Sequence, residues 1–429
     1  MQVIQLELKN FRCFENIQIH MDPHMTVLVG NNATGKSSVL KGISEGLAAF
    51  LSGFSSSDLK IPGIDLSDIR YKSVITGGVS ERNRQFPTTI TIDAIINSDT
   101  PVTWSRSRTT AKGRTTRNEA KSILEVSKNW QERLSNGYES LILPVIGYYG
   151  TERLWLQKKD TSSSSDFNRI SGYIDCLDGK SNEKLMLKWI ENRSWGEFLE
   201  KREDHQLSQI TGILASFFEK MTGFSQAKIH YNPKISELEL EYMNFDGETV
   251  SRNFSSLSDG YRELMSLVAD IAWRMTVLNP QLSSPALETP GVILIDEIEL
   301  HLHPRWQSVI LEVFQELFPK VQFIVTTHSP LVVQSVPRNQ LRILTEEEIV
   351  SLESSARGES VETVLNDIMD APTRPKEVSC LLSEFDDAMD IQDWDQAKEI
   401  LLKLQTIVGD QDSELLEQET ILNFERAQV

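Results

Sequence analysis

This chain of 429 residues is poor in cysteine, and its three, Cys13, Cys176 and Cys380, are scattered and odd in number. That excludes a disulfide framework and suits buried thiols in a reducing cytoplasm. No apolar run approaches the roughly 20 residues of a membrane span, so no membrane segment is expected. The opening MQVIQLELKNF alternates apolar and polar residues and lacks the basic start and long apolar core of a signal peptide. No internal repeat is visible, and no heptad run is long enough for an extended coiled-coil arm. Positive charge is scarce as well: 43 Lys and Arg stand against 62 Asp and Glu, a formal net charge of −19. Residues 340–429 carry 22 acidic against 7 basic side chains, so −15 of that charge, and the rest of the chain only −4. Such a tail repels nucleic acid, whereas the body is close to neutral. One stretch runs the other way. SRSRTTAKGRTTR, 105–117, holds Arg106, Arg108, Lys112, Arg114 and Arg117 and no acid; contact with DNA phosphates and a plain solvated loop are both open to it.

What is present is the composition of a soluble globular protein, 39% apolar and 24% charged. The length suits two or three domains, or one large domain with insertions. VIQLELKNF and ENIQIHM read as paired strands, and MTVLVG as a third that ends in a Gly-rich turn. KSSVLKGISEGLAAFL has helical spacing. These make an N-terminal lobe, 1–51. Residues 52–143 read as an inserted β and loop region containing the strand TTITIDAII and the basic loop. Residues 144–225 open with the strand LPVIGYYG, pass the Ser-rich loop DTSSSSD and become helical, with Trp189, Phe198, Phe217 and Phe218 on apolar faces. Residues 226–338 hold the alternating strands AKIHY and LELEYM and the continuous apolar runs GVILIDE and VQFIVTTH, which suit strands buried on both faces. Residues 339–429 form an acidic helical tail with three amphipathic patterns after Pro375.

Three motifs carry the chemistry. GNNATGKS spans Gly30, Asn31, Asn32, Ala33, Thr34, Gly35, Lys36 and Ser37, followed by Ser38. It fits G-x-x-x-x-G-K-[ST] between a strand and a helix, the context a phosphate-binding loop demands. Backbone N–H groups and the positive helix end surround phosphates, Lys36 reaches the β- and γ-phosphates of ATP, and the Ser37 hydroxyl serves as a Mg²⁺ ligand. VILIDEIELHLHP brings Asp296 and Glu297 to the C-terminal end of a buried strand, where open α/β sheets bind ligands. Asp296 is expected to hold Mg²⁺ through water and Glu297 to orient or deprotonate the attacking water. In the same motif His301 and His303 invite a metal reading, but no Cys or His partner lies nearby, and an interface or capping role is expected. VTTHSP puts His328 at another strand tip, within reach of a γ-phosphate.

In that order, with SLSDGYRELM (256–265) between the first two, the motifs resemble those of ABC-type ATPases, and more closely of the soluble SMC and RecF-like branch, whose N-terminal strand pair LKNFRCFENIQI is similar to. The resemblance implies an α/β ABC-type P-loop ATPase head with an inserted region and an α-helical tail. It also implies that Ser258 and Gly260, at a helix N-terminus, form a second phosphate site facing the nucleotide of another subunit, so that two chains pack head to tail around two ATPs. A plain helix cap accounts for one Ser but not for S-x-G-x-R. LPVIGYYGTERLW, IDEIELHLHP, VTTHSPLVVQS and GESVETVLNDIMDAPTRPKEV together resemble a bacterial ATPase group that includes PtuA of the Septu antiphage system. That resemblance implies an ATPase scaffold paired with an HNH nuclease, with DNA reached directly or through that partner. The tail's short amphipathic helices must pack on something, and three roles are open to them: folding back onto the core, joining subunits into an assembly larger than a dimer, or docking the nuclease. The alternatives are a RecF-like repair clamp without a nuclease and the nucleotide-binding half of a transporter, the latter disfavoured by the opening strands and the form of the signature. Nuclease chemistry within this chain is not expected: the D-x-D of the tail at Asp393-Trp394-Asp395 reads as a helix cap, with Gly409 as the stop. Two departures stand out from the branch pattern. Ala33 stands where Gly is common and Tyr261 where Glu or Gln is common. YYGTER falls where a Q-loop glutamine is expected, which leaves the second Mg²⁺ ligand open and slow hydrolysis among the outcomes.

Overall fold

The computed structural model describes residues 1–76, 79–96, 100–152, 168–179, 183–232, 234–235, 237–345, 349–350 and 356–428. They divide into two compact units, Met1–Glu359 and Ser360–Val429. The Ser-rich stretch 160–166 lies outside the described residues, as does Arg153 of YYGTER.

The larger unit is built on the apolar runs. A six-stranded sheet has the order Ile349–Val350, Leu341–Leu344, Met25–Val29, Val321–Thr326, Gly291–Ile295, Val145–Tyr149. Every neighbouring pair is parallel except the outermost, Leu341–Leu344 with Ile349–Val350. The three central strands, Met25–Val29, Gly291–Ile295 and Val321–Thr326, are buried along their whole length. This is why they show no alternation: both faces are covered. A second, antiparallel sheet has the order Phe14–His20, Gln2–Phe11, Thr88–Ile95, Pro101–Arg108. Its strands do alternate, as in Thr88–Ile95, where Thr88, Ile90, Ile92 and Ala94 are buried. The helix Lys36–Leu51 contacts strands of both sheets and is buried on nearly every side.

Two boundaries differ from those expected. Thr88–Ile95 pairs along its length with Gln2–Phe11, so this part of 52–143 completes the N-terminal lobe rather than standing apart as an insertion. Leu341–Leu344 pairs with Met25–Val29 in the central sheet, so the main unit runs past 338. Both differences have one cause: hydrogen-bonded pairing between distant segments leaves no mark in local composition.

The signature helix, Asp259–Leu278, is held by a buried polar knot. Tyr149 Oη donates to Asp270 Oδ2 at 2.7 Å, and Arg274 Nε donates to the same oxygen at 2.8 Å. Arg274 Nη1 also reaches the carbonyls of Gly172 and Ile174. Removing one partner of such a buried pair costs about 3–5 kcal/mol, because the other charge stays uncompensated. The knot therefore fixes the signature helix to the edge strand Val145–Tyr149, which neighbours the strand leading into Asp296. Before the signature helix in the chain, the helices Glu183–Glu200 and His205–Thr222 precede a three-stranded antiparallel sheet, with Ser225–Asn232 and Glu237–Met243 as expected and Thr249–Asn253 added. Trp189, Phe217 and Phe218 are buried, but Phe198 is 67% exposed. Of the cysteines only Cys176 is buried; Cys13 and Cys380 are exposed.

The smaller unit contains the three expected helices, Lys376–Asp390, Trp394–Val408 and Ser413–Gln428. Their apolar faces meet in one core that includes Phe385, Ala397, Leu401, Leu404, Leu415 and Leu422. Leu416 lies outside it, exposed. Asp393 caps the second helix by accepting from Gln396 N, and Gly409 ends it with φ of 105°. Arg374 braces the start of the first helix against the third through Asp412 and Glu414.

No described helix is long and apolar enough to cross a membrane.

Candidate functional site

The strand Met25–Val29 delivers a turn whose backbone enters the positive-φ region at Gly30, Ala33 and Gly35. Thr34 Oγ1 donates to Asn31 O at 2.9 Å and pins the turn. Lys36 Nζ folds back over it, donating to Gly30 O at 2.7 Å and Asn31 O at 2.9 Å. The ammonium is buried, which lowers its pKa from the usual lysine range, while Asp296, Glu297 and Glu299 pull it back up. Gly35 has φ of 100°, and a Cβ there would lie 2.4 Å from Phe14 Cζ and 2.6 Å from Cys13 Sγ. The close approach is functional in effect: it brings the tip of the first hairpin, Arg12 and Cys13, to the loop. Although Cys13 is exposed on one side, partial desolvation against the loop raises its thiol pKa, opposed by hydrogen bonds from its own backbone and Ser38 and by the charge of Arg12.

Opposite stands the end of Gly291–Ile295. Asp296 is buried and its Oδ1 accepts from Ser37 Oγ at 3.1 Å and from Thr326 Oγ1 at 2.6 Å. The same Thr326 oxygen accepts from Glu297 N at 2.8 Å. Glu297 is forced into the left-handed region, φ 49°, by the sharp exit from the strand. Next door, Glu299 Oε2 accepts from Thr327 Oγ1 at 2.7 Å, and its other oxygen accepts from His328 N. The three motifs thus meet around one cleft of about 370 Å³. Asn32, Ala33, Gly35, Lys36, Ser37, Ser38, Asp296, Glu297 and His328 line it; Gly30, Asn31 and Thr34 form the turn behind. Arg12, Cys13 and Thr326 line it too, although sequence reading passed them over. Thr326 had a signal, a hydroxyl ending a wholly apolar strand. Arg12 had only a place in a hairpin turn.

Ser258 and Gly260 are not among the lining residues of this cleft. Ser258 is exposed and stands at the N-cap of the signature helix, yet its side chain makes no capping bond. The plain cap therefore does not account for it. Gly260 is buried, and a Cβ there would lie 2.4 Å from His301 O, so the helix start is seated on the segment that follows Glu297. Tyr261 packs edge-on against Trp306 at 4.1 Å between ring centroids. In that segment His303 caps the short helix Pro304–Gln307, its Nδ1 accepting from Arg305 N at 3.2 Å, as expected of a capping histidine.

The basic stretch is not one surface. Arg106 lies on the strand Pro101–Arg108 and is buried, with Nη1 bonded to the carbonyls of Glu45 and Pro62. Arg108 is half-buried and bonded to Ile64 O and Ala111 O. Only Lys112, Arg114 and Arg117 are exposed. Alternation along a strand drew two of the five side chains inward.

Residues 25–334 match the family described as "AAA domain, putative AbiEii toxin, Type IV TA system". The chain is 27% identical to the Retron Ec83 probable ATPase of Escherichia coli, over 90% of this chain and 79% of that protein. It is 34% identical to the Septu protein PtuA of Bacillus thuringiensis, over 27% of this chain and 31% of that one. A solved structure of an SMC head bound to the C-winged helix domain of ScpA matches with 19% identity and a TM-score of 0.48, covering 82% of this chain and 98% of that one.

Proposed function

The chain belongs to the AAA-domain family that its residues 25–334 match, and from that premise we propose that it is the ATPase subunit of an antiphage defence assembly, binding and hydrolysing ATP in the cleft between Lys36 and Glu297 and regulating a partner HNH nuclease. The observation that carries the ATPase reading is the junction of Ser37 Oγ with Asp296 Oδ1, 3.1 Å apart. These residues come from the P-loop helix and the end of a buried strand, and a hydroxyl beside a carboxylate is the oxygen donor set that Mg²⁺ takes in P-loop enzymes. The residues fit the ion: a hard cation prefers oxygen ligands, and Thr326 holds the carboxylate in place. Ser37 and Asp296 would hold Mg²⁺ there, and the ion would offset the negative charge of the phosphates.

The protein's own groups do the rest. Lys36 exchanges the carbonyls of Gly30 and Asn31 for phosphate oxygens. Gly35 and Lys36 begin a helix whose N-terminal dipole favours anions. Glu297, anchored at its own N–H by Thr326, orients or deprotonates the attacking water. His328 lines the cleft, its backbone N–H held by Glu299, and its ring is the donor this reading assigns to the γ-phosphate. Ser258 and Gly260 contribute to the nucleotide of a second chain, since they stand outside the lining of their own cleft; two chains then close head to tail around two ATPs. Small residues suit this, because backbone N–H groups at a helix start approach an anion only where no side chain intervenes. The defence role is supported by the likeness to a retron ATPase and to Septu PtuA; the nuclease partner is what the motif resemblance to the PtuA group implies. DNA is reached through that partner or directly.

The test pairs two variants. Lys36→Ala should abolish ATP binding by calorimetry, and Glu297→Gln should bind ATP as the parent does while hydrolysis falls at least about 100-fold. Parent-rate hydrolysis by the Gln variant removes Glu297 from its role. Co-expression with an HNH nuclease encoded beside this chain, followed by co-purification, tests the partner, and the lack of any such gene removes it.

A further inference from the structure

A second polar concavity of about 530 Å³ lies away from the nucleotide cleft, between the segment 61–65 and the turn 109–117. Its wall contains four arginines, Arg106, Arg108, Arg114 and Arg117, and a single carboxylate, Asp65. In a chain of net charge −19 this concentration of one sign is exceptional. Among the described residues none of the four arginines makes an ion pair.

The walls are fixed rather than loose. Ile64 N donates to Thr115 Oγ1 at 2.9 Å and joins the two segments. Thr116 N donates to Ser107 O at 2.7 Å and ties the turn to the strand behind it. Arg108 holds both sides at once, through Ile64 O at 2.7 Å and Ala111 O at 2.8 Å. Arg106 forms the floor. Its Nη1 is taken by two carbonyls, and its Nη2 lies beside Gly63 on the pocket wall. Burial lowers the pKa of that guanidinium to about 10, and the positive charge of Arg117 works in the same direction, against the pull of Glu45. Like charges are thus crowded in a rigid concavity and partly desolvated. An anion with several oxygens would relieve the repulsion, and the forked N–H donors of arginine match phosphate oxygens in pairs.

We infer that this arginine pocket is a phosphate-binding site separate from the ATP cleft, and that its ligand is the phosphate backbone or phosphate end of a nucleic acid strand. The inference builds on the reading that the assembly acts on DNA, and locates a contact on this chain itself. A strand is favoured over a free ion because Arg114 and Arg117 open the wall to solvent and exposed Lys112 continues the charge beyond it along the turn.

The test uses the full chain without its partner and a fluorescent single-stranded oligonucleotide, with and without a 5′-phosphate, across a salt series. Each phosphate contact on a single strand contributes about −0.7 to the slope of log K against log salt. Arg114→Gln/Arg117→Gln should weaken binding at least about tenfold and flatten that slope by about 1.4. Both residues are exposed, so unchanged thermal unfolding and unchanged ATP binding are expected of the variant. Lys36→Ala, which empties the ATP cleft, should leave oligonucleotide binding at the parent level; this separates failure of the ATPase reading from failure of this one. Equal affinity and equal slope for parent and double variant would overturn the inference. Protection by inorganic phosphate alone, with no oligonucleotide binding, would overturn the assignment to a strand. Loss of binding in Lys36→Ala but not in the arginine variant would place the contact in the nucleotide cleft instead.

Discussion

Replacing Gly260 with alanine adds one carbon where the signature helix rests on the segment after Glu297. The new Cβ would stand 2.4 Å from His301 O, whereas carbon–oxygen contacts normally begin near about 3.3 Å. Something must move by about 1 Å, and neither side yields easily. The acceptor is backbone, set by the turns Leu300 N to Glu297 O and Leu302 N to Glu299 O. The helix is anchored by Asp270 and Arg274 to Tyr149. Overpacking of this kind costs about 1–3 kcal/mol. Helix propensity alone predicts the opposite sign, since alanine is the better helix former by up to about 1 kcal/mol. Thermal unfolding therefore decides between them. The expected result is a melting temperature lower by roughly 2–12 °C, at about 2–4 °C per kcal/mol. Because the strained segment begins at Glu297, hydrolysis should fall about tenfold or more, whereas ATP binding persists, as Gly260 is absent from the cleft lining. A melting temperature at or above the parent's, with parent turnover, would refute the seating of this helix on His301.

The remaining expectations concern charge and closure. Glu45, on the P-loop helix, is wholly buried, and burial drives its pKa from 4.5 up to about 8; Asp68 adds to the rise and Lys41, 3.4 Å away, opposes it. The folded chain therefore keeps a proton that the unfolded chain releases, so this contribution to stability is complete below about pH 4.5 and is lost as pH rises through about 8. Glu45→Gln should flatten the decline, with denaturant midpoints above the parent's at pH 8.5 and close to it at pH 5; parallel curves for the two proteins would count against a protonated Glu45. Ser258→Arg should bind ATP with parent affinity and fail to close on it, because the side chain fills the space where the partner's phosphate belongs. ATP-driven mass increase in that variant, seen by light scattering, would remove Ser258 from the interface.

The parts of this account that were legible in the sequence are those set by local physics. The phosphate-binding turn needs small residues and a lysine at fixed spacing, and buried parallel strands need continuous apolar runs; both stand in the sequence. The tail helices were also legible, since Asp393 and Gly409 mark the ends of one and apolar spacing marks all three. What pairing decides was not. Thr88–Ile95 reads as a strand, but nothing local says that it lies beside Gln2–Phe11. Arg106 looks like a surface charge until the strand's alternation turns it inward onto Glu45 O. Phe198 reads as core by composition and is exposed. At the site, Lys36, Ser37, Asp296 and Glu297 carry motif spacing. Arg12 and Thr326 reach the same cleft only because a hairpin tip and a neighbouring strand end there.

The central claim is that a complete ATP site takes Lys36 from one chain and Ser258 from another, and mixing two inactive variants tests it most directly. Lys36→Ala and Ser258→Arg homodimers each lack any complete site. In a mixed dimer, the P-loop of the Ser258→Arg chain faces the intact signature of the Lys36→Ala chain. With random exchange, half the dimers are mixed and carry one site of two, so ATP hydrolysis should recover to roughly a quarter of the parent rate. Hydrolysis by the Ser258→Arg protein alone at the parent rate, or no gain on mixing under conditions where subunit exchange is demonstrated, would contradict it.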